Sequence, residues 1–375
     1  MTPESGKYSI RIDHSQGFAI GDGAKVVHYE GGAAAETPTP PAISVALLTH
    51  TVPTAYCHHL DATVFPFVTV KIDNTNDGCA DTAVRIEATI EGYSDTVTAS
   101  VQVKQGTTGQ ASLLPLLQPS AVATLNEIRP ATLRITVRQT EPERVLCDQT
   151  ERVLLHARNT ALLALRAPGG GVIDLTQYLA AWVTPRAPEM ERLLRRAAEY
   201  HPDRMLVGYH GASTLAQGAQ IARQQAQAIF AVLQAETGFT YVNSPLTLGA
   251  ESDQVTQRVR LPAEVLASAG SANCIDGTVL FASLLELAAL DPILVLVPGH
   301  AFVGWRTWAR VDRYEFLETT LIGYGDFDSA QASAQARYDD ALMKGYFERE
   351  LFDTAGYARL IDVAACRAQG IYPLM

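Results

Sequence analysis

The chain has 375 residues, of which 47% are hydrophobic, and its formal net charge at pH 7 is −11. This length predicts two to three domains, and the apolar content supports sizeable cores. The acidic charge argues against a nucleic-acid polyanion as the main partner, and the lack of an uncharged apolar run of about 18 residues argues against a membrane span.

The amino-terminal residues and the cysteines predict the compartment. No apolar stretch follows the charges of residues 1–7, so we expect no secretory signal. The five cysteines are odd in number, widely spread and without a Cys-x-x-Cys pair, which argues against a disulfide framework or a zinc knuckle. We therefore predict a cytoplasmic protein that uses neither a metal nor another cofactor.

Residues 1–30 are predicted to form a separate, short β-prone motif. Asp-Gly at 22–23 separates two β-prone runs, which is a hairpin signal. A segment this short cannot bury a core, so it must dock, pair with another chain or stay disordered. Residues 31–42, rich in glycine, alanine and proline, are predicted to be a linker.

Residues 43–165 are predicted to form a β-sandwich domain. Short runs of alternating hydrophobic and polar residues are separated by turn signals, a pattern typical of sandwiches. The runs lie at 64–72, 83–90, 96–103, 132–138 and 151–156. None of them carries a motif with evident chemistry, so we expect a spacer or docking module.

Residues 166–375 are predicted to form a second domain that mixes helices and strands, so the fold class is α+β. The glycine-rich run 167–171 marks its beginning. A helix is predicted over 188–200, because proline and acidic residues fill its first turn. Another is predicted over 216–236, where apolar residues recur close to one helical face.

Cys274 is predicted to begin a helix that ends at Leu290. Asn273 is a suitable N-cap, and Asp276 lies where a capping-box partner belongs. A thiol in the first turn faces unpaired backbone N–H groups and the positive end of the helix dipole, which favours a thiolate nucleophile. The alternative is an ordinary buried cysteine in an apolar helix.

His300 and Glu318 are the candidate base and the residue that orients it. Strands are predicted at 293–297, 300–307 and 314–320. A hairpin centred on Ala309 places Glu318 directly opposite His300, and opposed side chains share one face of the sheet. Glu318 would then fix the imidazole and leave its other nitrogen for the sulfur of Cys274.

The same register makes two further predictions. It pairs Phe302 with Phe316, which predicts an apolar wall beside the imidazole. Asp312 and Glu315 compete as orienting acids, but Asp312 is predicted to lie in the turn and Glu315 to face away from His300. A slip of one residue would turn the predicted acid to the wrong side of the sheet.

Two helper residues are candidates for binding the substrate or its oxyanion. Gln257 and Asn273 both carry side-chain amides that can donate hydrogen bonds. Gln257 is distant in sequence from Cys274, so a structural role is an equal alternative. The backbone N–H of Cys274 at the helix N-terminus is the stronger oxyanion donor.

A metal site at the histidine pair is not predicted. His58 and His59 lie next to each other, with Asp61 close by. On a strand, adjacent side chains point to opposite faces, so the two rings would not converge on one ion. Surface polar residues are the simpler interpretation.

Three motifs lie in one stretch of the chain: Asn-Cys-Ile-Asp-Gly-Thr at 273–278, Gly-His-Ala-Phe-Val-Gly at 299–304 and Leu-Glu-Thr-Thr at 317–320. Together they resemble the core of the transglutaminase-like group within the papain-like cysteine protease superfamily. The resemblance implies a papain-like fold, with Cys274 as nucleophile, His300 as base and Glu318 as orienting acid. The family acid is usually aspartate in an Asp-Pro-Thr setting, so this glutamate is one methylene longer.

A second resemblance covers residues 44–375. The segments at 257–266 and 360–374, with the Cys and His motifs, are similar to the transglutaminase-like region at the front of large bacterial helicase-related proteins. In those proteins a β-sandwich segment also precedes the region. The sequence lacks a Gly-x-x-x-x-Gly-Lys loop, so we expect no helicase activity here.

Residues 16–29 resemble the short amyloid-type signalling motifs that are attached to bacterial immune effectors. Their β-prone runs around glycine are suited to stacking between chains. This resemblance implies a homotypic or sensor partner that binds through residues 1–30. A plain hairpin or edge strand is the alternative.

The leading functional hypothesis is a cysteine peptidase that acts on a protein or peptide through a thioester acyl-enzyme, as an effector in bacterial defence signalling. Acyl transfer of the transglutaminase or amidase type is a second hypothesis, because motif spacing does not separate water from an amine as acceptor. A non-catalytic adaptor assembled through residues 1–30 is the third.

Overall fold

The computed structural model describes residues 38–242, 253–268 and 270–374, so the predicted motif 1–30 and most of the linker 31–42 lie outside the described residues. Helices and several sheets alternate along these ranges, and the predicted α+β class is confirmed. The strands are β1 (Ala42–Leu47), β2 (Thr51–Val52), β3 (Val68–Asp73), β4 (Thr82–Ile90), β5 (Val97–Val103), β6 (Thr108–Leu113), β7 (Arg129–Gln139), β8 (Arg144–Leu155), β9 (Thr160–Arg166), β10 (Val172–Asp174), β11 (Thr240–Tyr241), β12 (Gln254–Arg258), β13 (Ser271–Ala272), β14 (Pro292–Val297), β15 (His300–Arg306), β16 (Tyr314–Leu317) and β17 (Arg359–Asp362). The α-helices are α1 (Pro119–Val122), α2 (Pro188–Tyr200), α3 (Leu215–Glu236), α4 (Pro262–Ala267), α5 (Cys274–Leu287), α6 (Phe327–Met343) and α7 (Val363–Ala368). Short 3-10 helices lie at Cys57–His59, Thr176–Trp182, Thr319–Leu321 and Tyr346–Glu348.

Two sheets dominate the first part of the chain. One has the strand order β2-β8-β7-β4-β5, and the other has the order β1-β3-β6. Burial alternates along β4 as the hydrophobic pattern predicts, with Val84 and Ile86 inside. Val70 and Ile72 of β3 join the same hydrophobic cluster. The packing of these sheets as a sandwich stays a prediction.

β9 follows the strands β1–β8 in sequence but pairs with later segments of the chain. It pairs antiparallel with β10 and with β12, so it belongs to a sheet built mainly from later segments. The predicted boundary at 165 falls on this strand, because its apolar sequence continues the pattern of the preceding strands. The division into domains at 43–165 and 166–375 stays a prediction.

The helices follow their local signals closely. α2 has the predicted bounds, and α3 begins one residue early because Thr214 caps it by accepting a hydrogen bond from the Gln217 N–H. α5 ends at Leu287, earlier than predicted. Ala289 adopts a left-handed backbone with φ of 58°, which ends the helix although the apolar sequence continues. No helix in the described ranges combines the length and apolar character needed to cross a bilayer.

The sheet β16-β15-β14-β17 carries the catalytic candidates together with α5. All its pairings are antiparallel, and α5, buried along nearly its whole length, packs against β15. The turn at Pro298 and Gly299 reverses the chain, and Gly299 has a φ of 71° that favours glycine. This turn places His300 at the end of the sheet that faces the first turn of α5.

Candidate active site

Cys274 occupies the first turn of α5, as predicted. The Asn273 Oδ1 accepts a hydrogen bond from the Asp276 N–H at 2.8 Å, and Asp276 returns one to the Asn273 N–H at 3.4 Å. The predicted capping box is therefore confirmed. The thiol is 2% exposed and lies where the helix dipole and the unpaired N–H groups favour negative charge.

Asp276 has a partner that sequence reasoning missed. The Arg260 guanidinium donates to its Oδ2 from Nε at 3.0 Å and from Nη2 at 2.8 Å, and the Arg260 backbone N–H donates to Oδ1. The carboxylate side chain is 2% exposed. Its negative charge, which would oppose a thiolate nearby, is thus compensated within the cap. Nothing in the sequence pattern links positions 260 and 276.

Gly277 permits a close approach behind the nucleophile. A Cβ at this position would lie 2.8 Å from Thr319 Oγ1 and 3.1 Å from Phe239 Cζ. The absence of a side chain at this position makes room for these two neighbours. Because Thr319 directly follows Glu318, this contact sets how closely the acid-bearing turn approaches the helix.

His300 contacts the acid and lines the same pocket as the thiol. Its Nε2 lies 2.6 Å from Glu318 Oε2, so the nitrogen left for the Cys274 side chain is Nδ1. Burial of the imidazole opposes protonation, but hydrogen bonds with Cys274 and Glu318 outweigh it and raise the pKa of His300 to about 9. At neutral pH the ring is therefore an imidazolium beside the sulfur.

The predicted strand register was wrong by two residues. Val303 pairs with Leu317 and Gly304 with Phe316, which centres the hairpin on Arg310. Because a shift of two residues keeps every side chain on its face, the predicted contact with His300 survives. Glu318 lies just beyond the end of β16 and reaches the imidazole from the turn.

The predicted aromatic pair was also affected by this shift. Phe302 is not opposite Phe316, since Gly304 takes that position. The two rings still meet edge to face, with centroids 5.8 Å apart, and Phe302 is fully buried. The apolar wall is thus present, but through a diagonal contact rather than a direct cross-strand pair.

Glu318 is held by three hydrogen bonds and one ion pair. Its Oε1 accepts from the Thr320 N–H at 3.1 Å and from Thr320 Oγ1 at 2.7 Å. Its Oε2 faces His300 and also forms an ion pair with Arg337 Nε at 3.3 Å. Burial opposes ionisation, but the hydrogen bonds with His300 and Thr320 outweigh it and lower the pKa of Glu318.

Arg337 is a second residue that sequence reasoning missed. It lies on α6, a helix that was not predicted. Asp326, which caps α6 by accepting from the Ser329 N–H at 2.8 Å, precedes an alanine-rich segment, and this signal was available in the sequence. The sequence carries no signal for the contact of Arg337 with Glu318, because this contact joins two elements that only tertiary packing brings together.

The competing acids do not reach the imidazole. Asp312 lies in the turn, where it forms an ion pair with Arg306 and is largely exposed. Glu315 lies opposite Trp305 and accepts a hydrogen bond from Gln331. Both placements follow the sequence-based expectation.

A pocket of about 150 Å³ opens beside the thiol and the imidazole. Its walls are mainly apolar, and Gln257 lies among them. The lining residues include Leu163, Gln257, Cys274, Ile275, His300 and Tyr357. The structure therefore brings one predicted helper, Gln257, to the same pocket as the thiol.

The two amide helpers make structural contacts. The Gln257 Nε2 donates to the backbone oxygen of Arg258 at 3.0 Å, and its buried Oε1 has no partner among the described residues. This bond uses one of the two amide hydrogens, and a role for Gln257 in binding the oxyanion or the substrate stays a prediction. The Asn273 Oδ1 serves the helix cap.

Tyr241 is a third residue near the thiol that sequence reasoning missed. Its strand β11 runs parallel to β13, with Tyr241 opposite Ala272, two residues before the nucleophile. Burial, together with the negative charges of Cys274 and Glu318, raises the pKa of Tyr241. The phenol is therefore a neutral donor at the edge of the site.

The histidine pair does not lie on a strand, which corrects the premise used for it. His58 and His59 occupy the 3-10 helix Cys57–His59, and their ring centroids are 4.0 Å apart. Burial lowers the pKa of both imidazoles, and that of His59 to about 4. Within the described ranges, no group of three or more His, Cys, Asp or Glu side chains is arranged to hold a metal ion.

Comparison with known proteins identifies no family. No family model matches the chain, and no curated protein matches it. Among solved structures, the periplasmic domain of TgpA from Pseudomonas aeruginosa bound to ethylmercury is similar at 12% sequence identity, over 65% of this chain and 91% of that chain. The TM-score is 0.22, too low to support an argument about fold or function.

Proposed function

We propose that this protein is a thiol-dependent acyl-transfer enzyme of the transglutaminase-like group, and that it acts as a peptidase. Cys274 is the proposed nucleophile, His300 the acid-base and Glu318 the residue that orients the imidazole. One observation carries the proposal. A buried carboxylate lies 2.6 Å from an imidazole, and that imidazole lines the same pocket as a thiol at a helix N-terminus.

The charge states suit this chemistry at neutral pH. The raised pKa of His300 keeps the ring protonated, and the lowered pKa of Glu318 keeps it a carboxylate. An imidazolium beside a sulfur at a helix N-terminus favours the thiolate over the thiol.

The proposed reaction forms and then breaks a thioester. The Cys274 sulfur attacks the amide carbon, a C–S bond forms, and the carbonyl electrons move to the oxygen. The backbone N–H groups of Cys274 and Ile275 precede the first intrahelical hydrogen bond of α5 and are available to that oxyanion. When the C–N bond breaks, the His300 imidazolium gives its proton to the leaving amine. Water then attacks the thioester, gives a proton to His300 and releases the acid and the thiolate.

The acceptor distinguishes a peptidase from a transglutaminase or amidase. In the peptidase, water attacks the thioester; in the transglutaminase, a primary amine does so and forms a new amide. We propose water, with a cytoplasmic protein or peptide as substrate. We also propose that residues 43–165 form a separate domain and that residues 1–30 recruit the enzyme to a partner in bacterial defence.

The test is selective labelling of Cys274. Reaction with a limiting amount of iodoacetamide, followed by peptide mapping, ranks the cysteines by reactivity. Cys147 is the control because it is more exposed than Cys274, and burial raises the pKa of its thiol. We expect Cys274 to react first although it is buried, and Cys274→Ala to abolish peptide cleavage. Preferential labelling of Cys147 would contradict the proposal.

A further inference from the structure

Arg337 has hydrogen-bonding capacity that no described residue uses. Its Nε faces Glu318 Oε2 at 3.3 Å, and the side chain is 50% exposed. Across the described ranges, that carboxylate is its sole ion-pair partner, and neither terminal nitrogen donates a hydrogen bond. The ion pair with Glu318 places the guanidinium beside the acid, and its two terminal nitrogens face no described acceptor. Such a planar fork matches a carboxylate with two parallel hydrogen bonds.

Two exposed tyrosines lie near this surface. Tyr241 pairs with Ala272, two residues before the nucleophile, and its strand contacts the 3-10 helix that follows Glu318. Tyr324 is 77% exposed, which is unusual for a large aromatic side chain. Its loop is held in place, because Gln234 Nε2 donates to the backbone oxygens at 322 and 325, both at 2.8 Å.

This surface is separate from the apolar pocket. Arg337, Tyr241 and Tyr324 do not contribute to the lining of the pocket of about 150 Å³ beside Cys274. A substrate whose scissile carbonyl lies at the sulfur therefore meets two environments. One part enters the apolar pocket, and another part crosses the tyrosines toward the guanidinium.

We propose that Arg337 recognises a carboxylate of the substrate, on the part that lies outside the apolar pocket. This inference rests on the proposed function and names its substrate class, an acidic peptide. A carboxylate carries one negative charge in a plane that the guanidinium fork matches, whereas a dianion such as phosphate would bring a second negative charge close to Glu318.

A matched pair of thiol-directed probes tests the proposal. A trans-epoxysuccinyl leucine isobutylamide is prepared as the free acid and as its neutral carboxamide. In both, the Cys274 sulfur opens the epoxide, a C–S bond forms, a C–O bond breaks, and the alkoxide takes a proton from the His300 imidazolium. The measured quantity is the ratio of the two second-order labelling rates, in which any change of thiol reactivity cancels.

We expect wild-type protein to react faster with the free acid than with the carboxamide. Arg337→Gln should lower this rate ratio about tenfold, which is the lower end of the effect of a hydrogen bond to a charged group, because the arginine side chain is half exposed. Arg337→Lys keeps the charge without the fork and should retain part of the preference. Lys344→Gln is the control, because it removes an exposed cation from the carboxyl end of the same helix. An equal ratio in wild type and Arg337→Gln overturns the inference and leaves the proposed function intact.

Failure of the proposed function has a different signature. If neither probe labels Cys274 while both label Cys147, the thiol is not activated, and both proposals fall. If Cys274 is labelled, the source of the carboxylate is then read from synthetic peptide libraries made as carboxyl-terminal acids and as amides. Cleavage confined to the acids indicates a terminal carboxylate. Cleavage of both libraries next to Asp or Glu indicates a side chain, and cleavage indifferent to both overturns the inference.

Discussion

Glu318 Oε2 lies 2.6 Å from His300 Nε2 although Glu318 is outside the strand that pairs with the histidine's strand. The acid is the N-cap of the 3-10 helix Thr319–Leu321, and the Thr320 N–H and hydroxyl hold its other oxygen. The turn therefore orients the carboxylate, and the sheet orients the imidazole. The extra methylene of glutamate, relative to aspartate, gives the reach that this turn position requires.

The pH dependence of activity should report the titration of His300. Its pKa is raised from 6.5 to about 9, so the imidazolium persists through neutral pH and is lost as the pH rises through about 9. We expect kcat/KM for peptide cleavage to fall along that alkaline limb, because the leaving amine then lacks its proton donor. A limb near pH 6.5 would show that the ring lacks the contacts described.

Glu318→Gln should shift that limb to lower pH. The carboxylate contributes to raising the pKa of His300, so its removal lowers the pKa and reduces kcat/KM by about 10- to 1000-fold at neutral pH. Glu318→Asp keeps the charge but shortens the side chain by one methylene. We expect Glu318→Asp to lower kcat/KM because the shorter side chain does not reach the imidazole as well. Its negative charge still acts on His300 at longer range, so the alkaline limb should stay closer to that of wild type. An unmoved limb in Glu318→Gln would argue against the orienting role.

Thr320→Val should reduce activity about three- to tenfold, less than the full effect of one hydrogen bond to a charged group. Valine keeps the shape of threonine but removes the hydroxyl that donates to Glu318 Oε1 at 2.7 Å. The backbone donor remains, so the carboxylate is loosened rather than released. Thr320→Ser retains the hydroxyl and serves as the matched control. Equal rates in the two variants would assign the orientation to the backbone alone.

Gly277→Ala should destabilise the fold although alanine is the better helix former. The new Cβ would lie 2.8 Å from Thr319 Oγ1, and Thr319 is fully buried. Overpacking of this kind costs about 1–3 kcal/mol, which exceeds the gain in helix propensity. Denaturant unfolding measures the difference, and Gly171→Ala is the control because nothing lies within 4 Å of its added Cβ. A stabilised Gly277→Ala protein would contradict the contact.

Arg260→Met should lower the free energy of unfolding by about 2–4 kcal/mol, because Asp276 is left as a buried charge without its cation. The arginine side chain is 26% exposed, so the loss should fall toward the lower end. The variants Arg260→Met, Asp276→Asn and the double variant complete a double-mutant cycle. We expect each substitution to lower the free energy of unfolding less when the other is already present than when it is made in wild type. Additive losses would show that the pair does not interact.

Local signals predicted most of what positions the nucleophile. Proline and acidic residues marked α2, and Asn273 with Asp276 marked the start of α5, because caps act over one turn of chain. The end of α5 was misplaced because a left-handed residue stopped a sequence that still read as apolar. The strand register missed by two residues for a related reason. The alternation of side chains along a strand predicts which face each one takes, but it does not distinguish registers that differ by two residues. The number of residues in the turn decides between such registers, and it depends on how the two strands pack in the tertiary structure.

The sequence by itself determined the thiol at its helix cap, the imidazole at its strand and the acid on the correct face, since each depends on residues near it in the chain. The tertiary structure alone decided that Arg260 compensates Asp276, that Arg337 contacts Glu318, and that Tyr241 pairs with Ala272 close to the nucleophile in sequence. These contacts join segments far apart in sequence. Their energies arise only once burial has removed water from between the partners, and no local periodicity records that.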